Sequence, residues 1–226
     1  LKLVNTKIIF ENSKVYQLKR CPEHGEIKIL ISIDEEYYRK CRDFVKPSEM
    51  PNRWNTEIKK GCPFDCGLCP DHEQHSCVTV LEITEKCNLD CRVCYSSSGT
   101  DVNLKHRTMT VIEYMLDQIM LNEGMADIVQ ISGGEPTIHP NFFEILDLAR
   151  TKNIRHLMIN TNGVKIANED GFAEKLLTYM PGIEIYLQFD GLTKDVSENL
   201  RGIDLTDIRK KALNKLNEIN LSTTLV

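Results

Sequence analysis

Seven of the nine cysteines in this 226-residue chain fall between Cys62 and Cys94. That crowding, with an odd total, fits metal or cluster ligation better than a framework of disulfides. Thiols kept free for metal imply a reducing compartment, so the cytoplasm is expected. A hydrophobic share of 41% and a charged share of 27% describe a globular composition, neither disordered nor membrane-spanning. The net charge of −5, from 28 basic and 33 acidic residues, leaves no basic footprint, and no nucleic-acid partner is expected. The opening LKLVNTKIIF lacks the pattern of a secretory signal.

The order of apolar patterns divides the chain into a β-rich lead-in with a linker (1–60), a cysteine-rich loop (61–77) and a region of regular alternation (78–226). In the lead-in, 7–10, 14–18 and 26–33 read as a small antiparallel ribbon, and the two prolines of 46–55 mark a linker. From Val78 onward, strands are expected at 78–83, 127–132, 155–160 and 183–189, with a last one entering at LSTTLV. Helices are expected after a Thr110/Glu113 capping box up to Gly124, from Asn141 to about Lys152, over 168–180, and over 205–219. Strand centres two to four lie about 28 residues apart, room for one crossover helix each time. The expected fold class is therefore α/β, a parallel sheet forming a partial (βα) barrel, with a doubly wound open sheet as the alternative. Both put chemistry at the carboxyl ends of the strands. The start at Leu1 and the apolar stop at Val226 suggest a C-terminally truncated barrel, with a natural terminal strand as the other reading.

Directly after the first barrel strand, KCNLDCRVCY sets Cys87, Cys91 and Cys94 at C-x3-C-x2-C. Three thiolates can hold three irons of a cubane cluster and leave the fourth iron open to substrate; a zinc ion with a distant fourth ligand is the competing reading. In this position the triplet resembles the radical S-adenosylmethionine (SAM) superfamily. Ser132-Gly133-Gly134-Glu135-Pro136, ending the second strand, resembles that superfamily's GGEP turn. Two glycines there let the backbone approach a ligand, and Glu135 offers an anionic acceptor to the methionine ammonium. Asn160-Thr161-Asn162-Gly163 and Gln188-Phe189-Asp190-Gly191, ending strands three and four, resemble its NTNG and QFDG turns. The position before the third cysteine, aromatic in the family, is Val93 here, with Tyr95 just beyond. The resemblance implies a SAM-binding [4Fe–4S] cluster on the catalytic Cys87, Cys91 and Cys94. It implies SAM contacts from Tyr95, Ser132 through Pro136, Asn160, Asn162, Gln188 and Asp190. The implied reaction is one-electron cleavage of SAM to a 5′-deoxyadenosyl radical that abstracts hydrogen from an unactivated carbon.

Upstream, Cys62, Cys66, Cys69 and Cys77 supply four thiolates at C-x3-C-x2-C-x7-C. They can close a second [4Fe–4S] cluster or a structural zinc site, with His72 and His75 expected to make hydrogen bonds or stay exposed. This block followed by CNLDCRVCY resembles, from about residue 15 onward, a group holding archaeal tetraether lipid synthases and pterin or molybdopterin-type methyltransferases. Within that group, KRCPEHG resembles half of an N-terminal metal knuckle. Cys21 is then a ligand of a mononuclear iron or zinc, with Cys41 or His24 as partner. Carbon–carbon coupling of isoprenoid lipid chains is the first expected reaction and methylation of a pterin-like substrate the second. A non-catalytic zinc-binding interaction module is the reading from another class. Expected partners are a lipid or other small-molecule substrate and an electron donor of the ferredoxin or flavodoxin kind; peripheral contact with a membrane is also envisaged. His106, His139 and His156 have no metal spacing and read as packing or surface residues, and Met109, Met115, Met120 and Met125 as core.

Overall fold

Alternating short apolar and polar stretches at the start of the chain give a three-stranded antiparallel ribbon: β1 (Thr6–Glu11), β2 (Lys14–Cys21) and β3 (Gly25–Ser32), in that spatial order. Asn12 and Ser13 both adopt positive φ (52° and 58°), the twist that a two-residue hairpin turn needs. Helix α1 (Glu35–Asp43) follows, capped by Asp34, whose carboxylate accepts from the Tyr37 amide at 2.8 Å. The sequence reading had no helix there.

The computed structural model describes residues 4–44, 50–61, 64–65, 67–70 and 74–226. Its contacts group the chain into two compact units, 1–48 and 49–226. The division falls within the stretch read as a linker, 46–55. The amides of Asn52 and Arg53 both donate to Asn122 O (2.6 and 3.2 Å), and the Ser76 amide donates to Glu123. Part of the expected linker, 46–49, lies outside the described residues.

The second unit contains five parallel strands: β4 (Val78–Thr84), β5 (Ala126–Gly133), β6 (Ile154–Thr161), β7 (Ile183–Leu187) and β8 (Thr223–Leu225). Their spatial order is their chain order, with no reversal. A doubly wound sheet reverses direction at a switch point, so this is the winding of a barrel. Between the strands run α2 (Met109–Glu123), α3 (Phe142–Arg150), α4 (Val164–Asn168), α5 (Phe172–Leu177), α6 (Lys194–Arg201) and α7 (Thr206–Glu218). Ile131, Ile159 and Ile185 on neighbouring strands are fully buried, as are Ile112 and Leu116 of α2, Ile145 of α3 and Ala212 of α7. Burial of this apolar set drives the docking of helices on sheet.

Three helix expectations change. The cap of α2 is Thr108, whose hydroxyl accepts from the Val111 amide, so the Thr110/Glu113 pair lies inside the helix. The helix expected over 168–180 is the shorter α5, and α4 precedes it in a stretch with no expected element; each starts after a glycine with left-handed φ, Gly163 (78°) for α4 and Gly171 (77°) for α5. Helix α6 occupies a stretch with no expected element; Thr193 precedes it and Gly202, at φ 82°, ends it. Met109, Met115 and Met120 pack against the core, and His139 is buried with its ring edge-on to His106 at 4.9 Å.

Candidate active site

The loop leaving β4 is closed on itself before it meets any ligand. The Cys87 amide donates to Gly99 O at 2.8 Å, and Asp90 accepts from the Thr100 amide and hydroxyl at 2.8 and 2.6 Å. Leu89 plugs the loop into the protein at 6% exposure. Cys87, Cys91 and Cys94 thereby line one cleft together with Tyr95, Gly133, Gly134, Asn162, Gln188 and Arg201. Burial, then the neighbouring Glu135 and Cys91, pushes the Cys87 thiol up to about 11. Burial also works against the Cys94 thiolate, but hydrogen bonds from Ser96 and from the amides of 96–98 outweigh it and the net shift is downward.

These cysteines fit an iron–sulfur cubane. They are three soft donors on one short loop that line one cleft, and each thiolate can meet a different iron.

The glycines of the GGEP turn have a role that the sequence reading did not give them. A Cβ on Gly133 would stand 2.2 Å from Thr84 O, and one on Gly134 2.2 Å from Lys86 O. Both positions are bare because the turn lies against the backbone leaving β4. The Gly134 and Glu135 amides donate to those same carbonyls at 2.8 and 2.9 Å. Glu135 is 1% exposed. Its carboxylate accepts from the Thr137 amide and hydroxyl (3.1 and 2.6 Å), the Thr161 hydroxyl (2.7 Å) and the Asn162 amide (2.8 Å). Burial raises its pKa and these four bonds oppose the rise. The side chain is an internal tie between the ends of β5 and β6. Pro136 is buried and starts a short 3-10 turn.

The other predicted residues form a polar layer across the strand ends. Asn160 Nδ2 donates to Ser132 Oγ at 3.1 Å, and Gln188 Nε2 donates to Asn160 Oδ1 at 3.1 Å. Asn162 Nδ2 reaches Asn88 of the cysteine loop at 2.7 Å. Asp190 takes no place in the cleft lining. Its two oxygens are held by Arg201 at 2.7 Å each, and Arg209 bonds one of them as well. Burial alone would raise the Asp190 carboxyl, but the two guanidiniums hold it below the usual range. Arg201 was missed by the sequence reading. Its Nη1 donates to Gln188 Oε1 at 3.1 Å and reaches Cys91 Sγ at 3.9 Å. The stop glycine after it and the acidic start of TKDVSENLRG were the available helix signals.

Of the second cysteine block, Cys62, Cys66 and His72 lie outside the described residues. Cys69 is buried, while Cys77 is exposed with Sγ 3.8 Å from His75 Nε2. His75 stands between Glu123 (3.6 Å) and Asp127 (3.5 Å). In the first unit, Cys21 Sγ and His24 Nδ1 are 3.2 Å apart, and Cys41 is on the exposed surface of α1 beside Tyr37.

Comparison with known proteins bears on all of this. A family model described as the HMPTM N-terminal zinc ribbon domain matches residues 1–33. Over its whole length the chain is 31% identical to 7,8-dihydro-6-hydroxymethylpterin dimethyltransferase of Methanocaldococcus jannaschii, covering 44% of that protein. It is 32% identical to mycofactocin maturase MftC of Mycobacterium tuberculosis over 62% of this chain and 34% of that one. The chain thus spans less than half the length of either relative. Among solved structures, Streptococcus suis SuiB bound to the precursor peptide SuiA aligns over 97% of this chain and 56% of its own, at TM-score 0.56 and 14% identity. SuiB bound to S-adenosylmethionine aligns over 66% of this chain and 33% of its own, at TM-score 0.54 and 21% identity. At such identities the likeness is one of fold. The first expectation for the substrate, an isoprenoid lipid, finds no support in these comparisons, and lipid biosynthesis is dropped with it. Among the described residues no helix is long and apolar enough to cross a membrane. The model of the radical SAM superfamily matches residues 81–226, from β4 to the last residue; a match of that extent, over a site of this make-up, means that the chain belongs to the radical SAM superfamily of enzymes.

Proposed function

We propose that this chain is the SAM-cleaving part of a radical methyltransferase that acts on a carbon of a pterin-like substrate. The observation that carries the reading is the full-length similarity to a pterin dimethyltransferase, with a zinc-ribbon match ahead of the barrel. When bound at Cys87, Cys91 and Cys94, a [4Fe–4S] cluster supplies the single electron that splits SAM into methionine and a 5′-deoxyadenosyl radical. The chain's own residues do the rest. The loop bonds of Asp90 and Gly99 fix the three thiols before metal arrives. The backbone of Gly133 and Gly134, with Tyr95, Asn162 and Gln188, lines the cleft where SAM would lie. Glu135 holds two of those walls together. A ferredoxin or flavodoxin is the electron donor in this reading. Cys62, Cys66, Cys69 and Cys77 hold a second cluster or zinc, and Cys21 with His24 contributes to a mononuclear site.

The test starts from full-length protein reconstituted without oxygen, assayed for iron, acid-labile sulfide and zinc. About eight irons with eight sulfides would fit two cubanes, and about four irons with zinc would make the second block structural. Incubation with SAM, a reductant, a reduced pterin and a methyl donor (a second SAM or a carrier of a one-carbon unit) should yield 5′-deoxyadenosine and a methylated pterin, and Cys91→Ala should yield neither. Zinc without sulfide refutes the enzyme reading; deoxyadenosine formed without pterin methylation refutes the substrate.

A further inference from the structure

We infer that Arg201 is a positioning residue that sets how readily the group held at Cys91 is reduced, an inference resting on the cluster reading above. Three observations converge on it. Nε and Nη2 of Arg201 grip both oxygens of Asp190 at 2.7 Å, which fixes the plane of the guanidinium. Nη1, left over from that grip, reaches Gln188 Oε1 (3.1 Å) and Cys91 Sγ (3.9 Å). The end of α6 is also seated on the cysteine loop: a Cβ on Gly202 would meet Asp90 O at 3.3 Å.

Charge makes this seat more than a structural bond. Asp190 also pairs with Arg209, which is 1% exposed. One carboxylate thus faces two guanidiniums, Asp204 lies close enough to act on Arg209 as a further counter-charge, and Arg201 is the cation that reaches Cys91. Reduction adds one electron from a low-potential donor and no proton, so negative charge at the cysteine sulfurs grows. A cation donating a hydrogen bond to one of those sulfurs favours the reduced state and raises the potential.

The test compares midpoint potentials of the reconstituted full-length protein by redox titration followed by electron paramagnetic resonance. Arg201→Gln should shift the potential to more negative values, and Arg201→Lys should shift it less. Arg150→Gln, on α3 where Arg150 lies over the Tyr179 ring, should not shift it. If Arg201→Gln fails to keep its iron, Arg201→Lys carries the test, because a single ammonium cannot serve both Asp190 and Cys91 Sγ as the fork does. Unchanged potential in an iron-loaded Arg201 variant overturns the inference. Wild-type protein that takes up no iron–sulfur cluster overturns instead the cluster reading on which it stands.

Discussion

Gly134→Ala separates two reasons for a glycine in the GGEP turn. If the bare position serves only a bound ligand, the ligand-free protein should not notice a methyl group. The structure says otherwise, because a Cβ at Gly134 would lie 2.2 Å from Lys86 O, 2.6 Å from Lys86 C and 3.0 Å from Glu85 O. These are backbone atoms, which cannot rotate away. Ordinary contact requires the two chains to part by roughly 1 Å. A hydrogen bond of 2.9 Å from the Glu135 amide to that same carbonyl would then be lost. The neighbouring bond of 2.8 Å from Gly134 N to Thr84 O shares the strain. Two backbone bonds broken or stretched in a buried place, with partners left unsatisfied, cost about 3 kcal/mol. For a domain of this size that lowers Tm by about 6–12 °C. Thermal unfolding of the metal-free protein, followed by circular dichroism, reads this directly. A Tm within about 2 °C of wild type, under 1 kcal/mol, would refute the reasoning and return the glycine to the ligand.

Asp190→Asn should destabilise by about 3 kcal/mol, since it strands the buried Arg209; the low end of the range for a broken buried pair applies because Asp190 keeps 15% of its side chain exposed. The native Asp190 carboxyl is held low by its arginines. Its contribution is therefore complete above the unfolded value near pH 4 and is lost as pH falls through the lower folded value. Denaturant unfolding at pH 7 and across the acid range should show a flatter acid limb in Asp190→Asn, and identical limbs would contradict the pairing. Gln188→Leu should cost about 2 kcal/mol in chemical denaturation by leaving Asn160 Oδ1 and an Arg201 N–H without partners; a neutral result would mean that the polar layer does not hold these strands.

The parallel sheet and the cysteine loop were legible in the sequence because both are local. Strand periods and Asn-Gly or Asp-Gly turns mark each βα unit, and three cysteines within eight residues need no distant partner to be noticed. What stayed hidden depends on contacts far apart in the chain. The tie from Glu135 to Thr161 and Asn162, 26 and 27 positions on, is one such contact. Arg201 lies 110 residues from Cys91, at the end of a short helix whose two apolar residues, Val196 and Leu200, do not reveal which loop that end meets. The cap of α2 was missed because Thr108 and Thr110 offer the same hydroxyl two residues apart, and only the bond to Val111 N distinguishes them.

The polar layer also carries a direction that follows from side-chain chemistry alone. Arginine donates and never accepts, so the atom of Gln188 facing Arg201 must be Oε1, which turns Nε2 toward Asn160. Asn160 must then present Oδ1 to that donor and Nδ2 to Ser132, where the hydroxyl accepts. One cation at the end of α6 thus fixes both amides along β7, β6 and β5, and with them which donors and acceptors the strand ends offer to a ligand. Asp190, by locking that cation in both of its oxygens, is the origin of the order although it does not line the cleft. Asp190 thus reaches Cys91 through the guanidinium that stands between them.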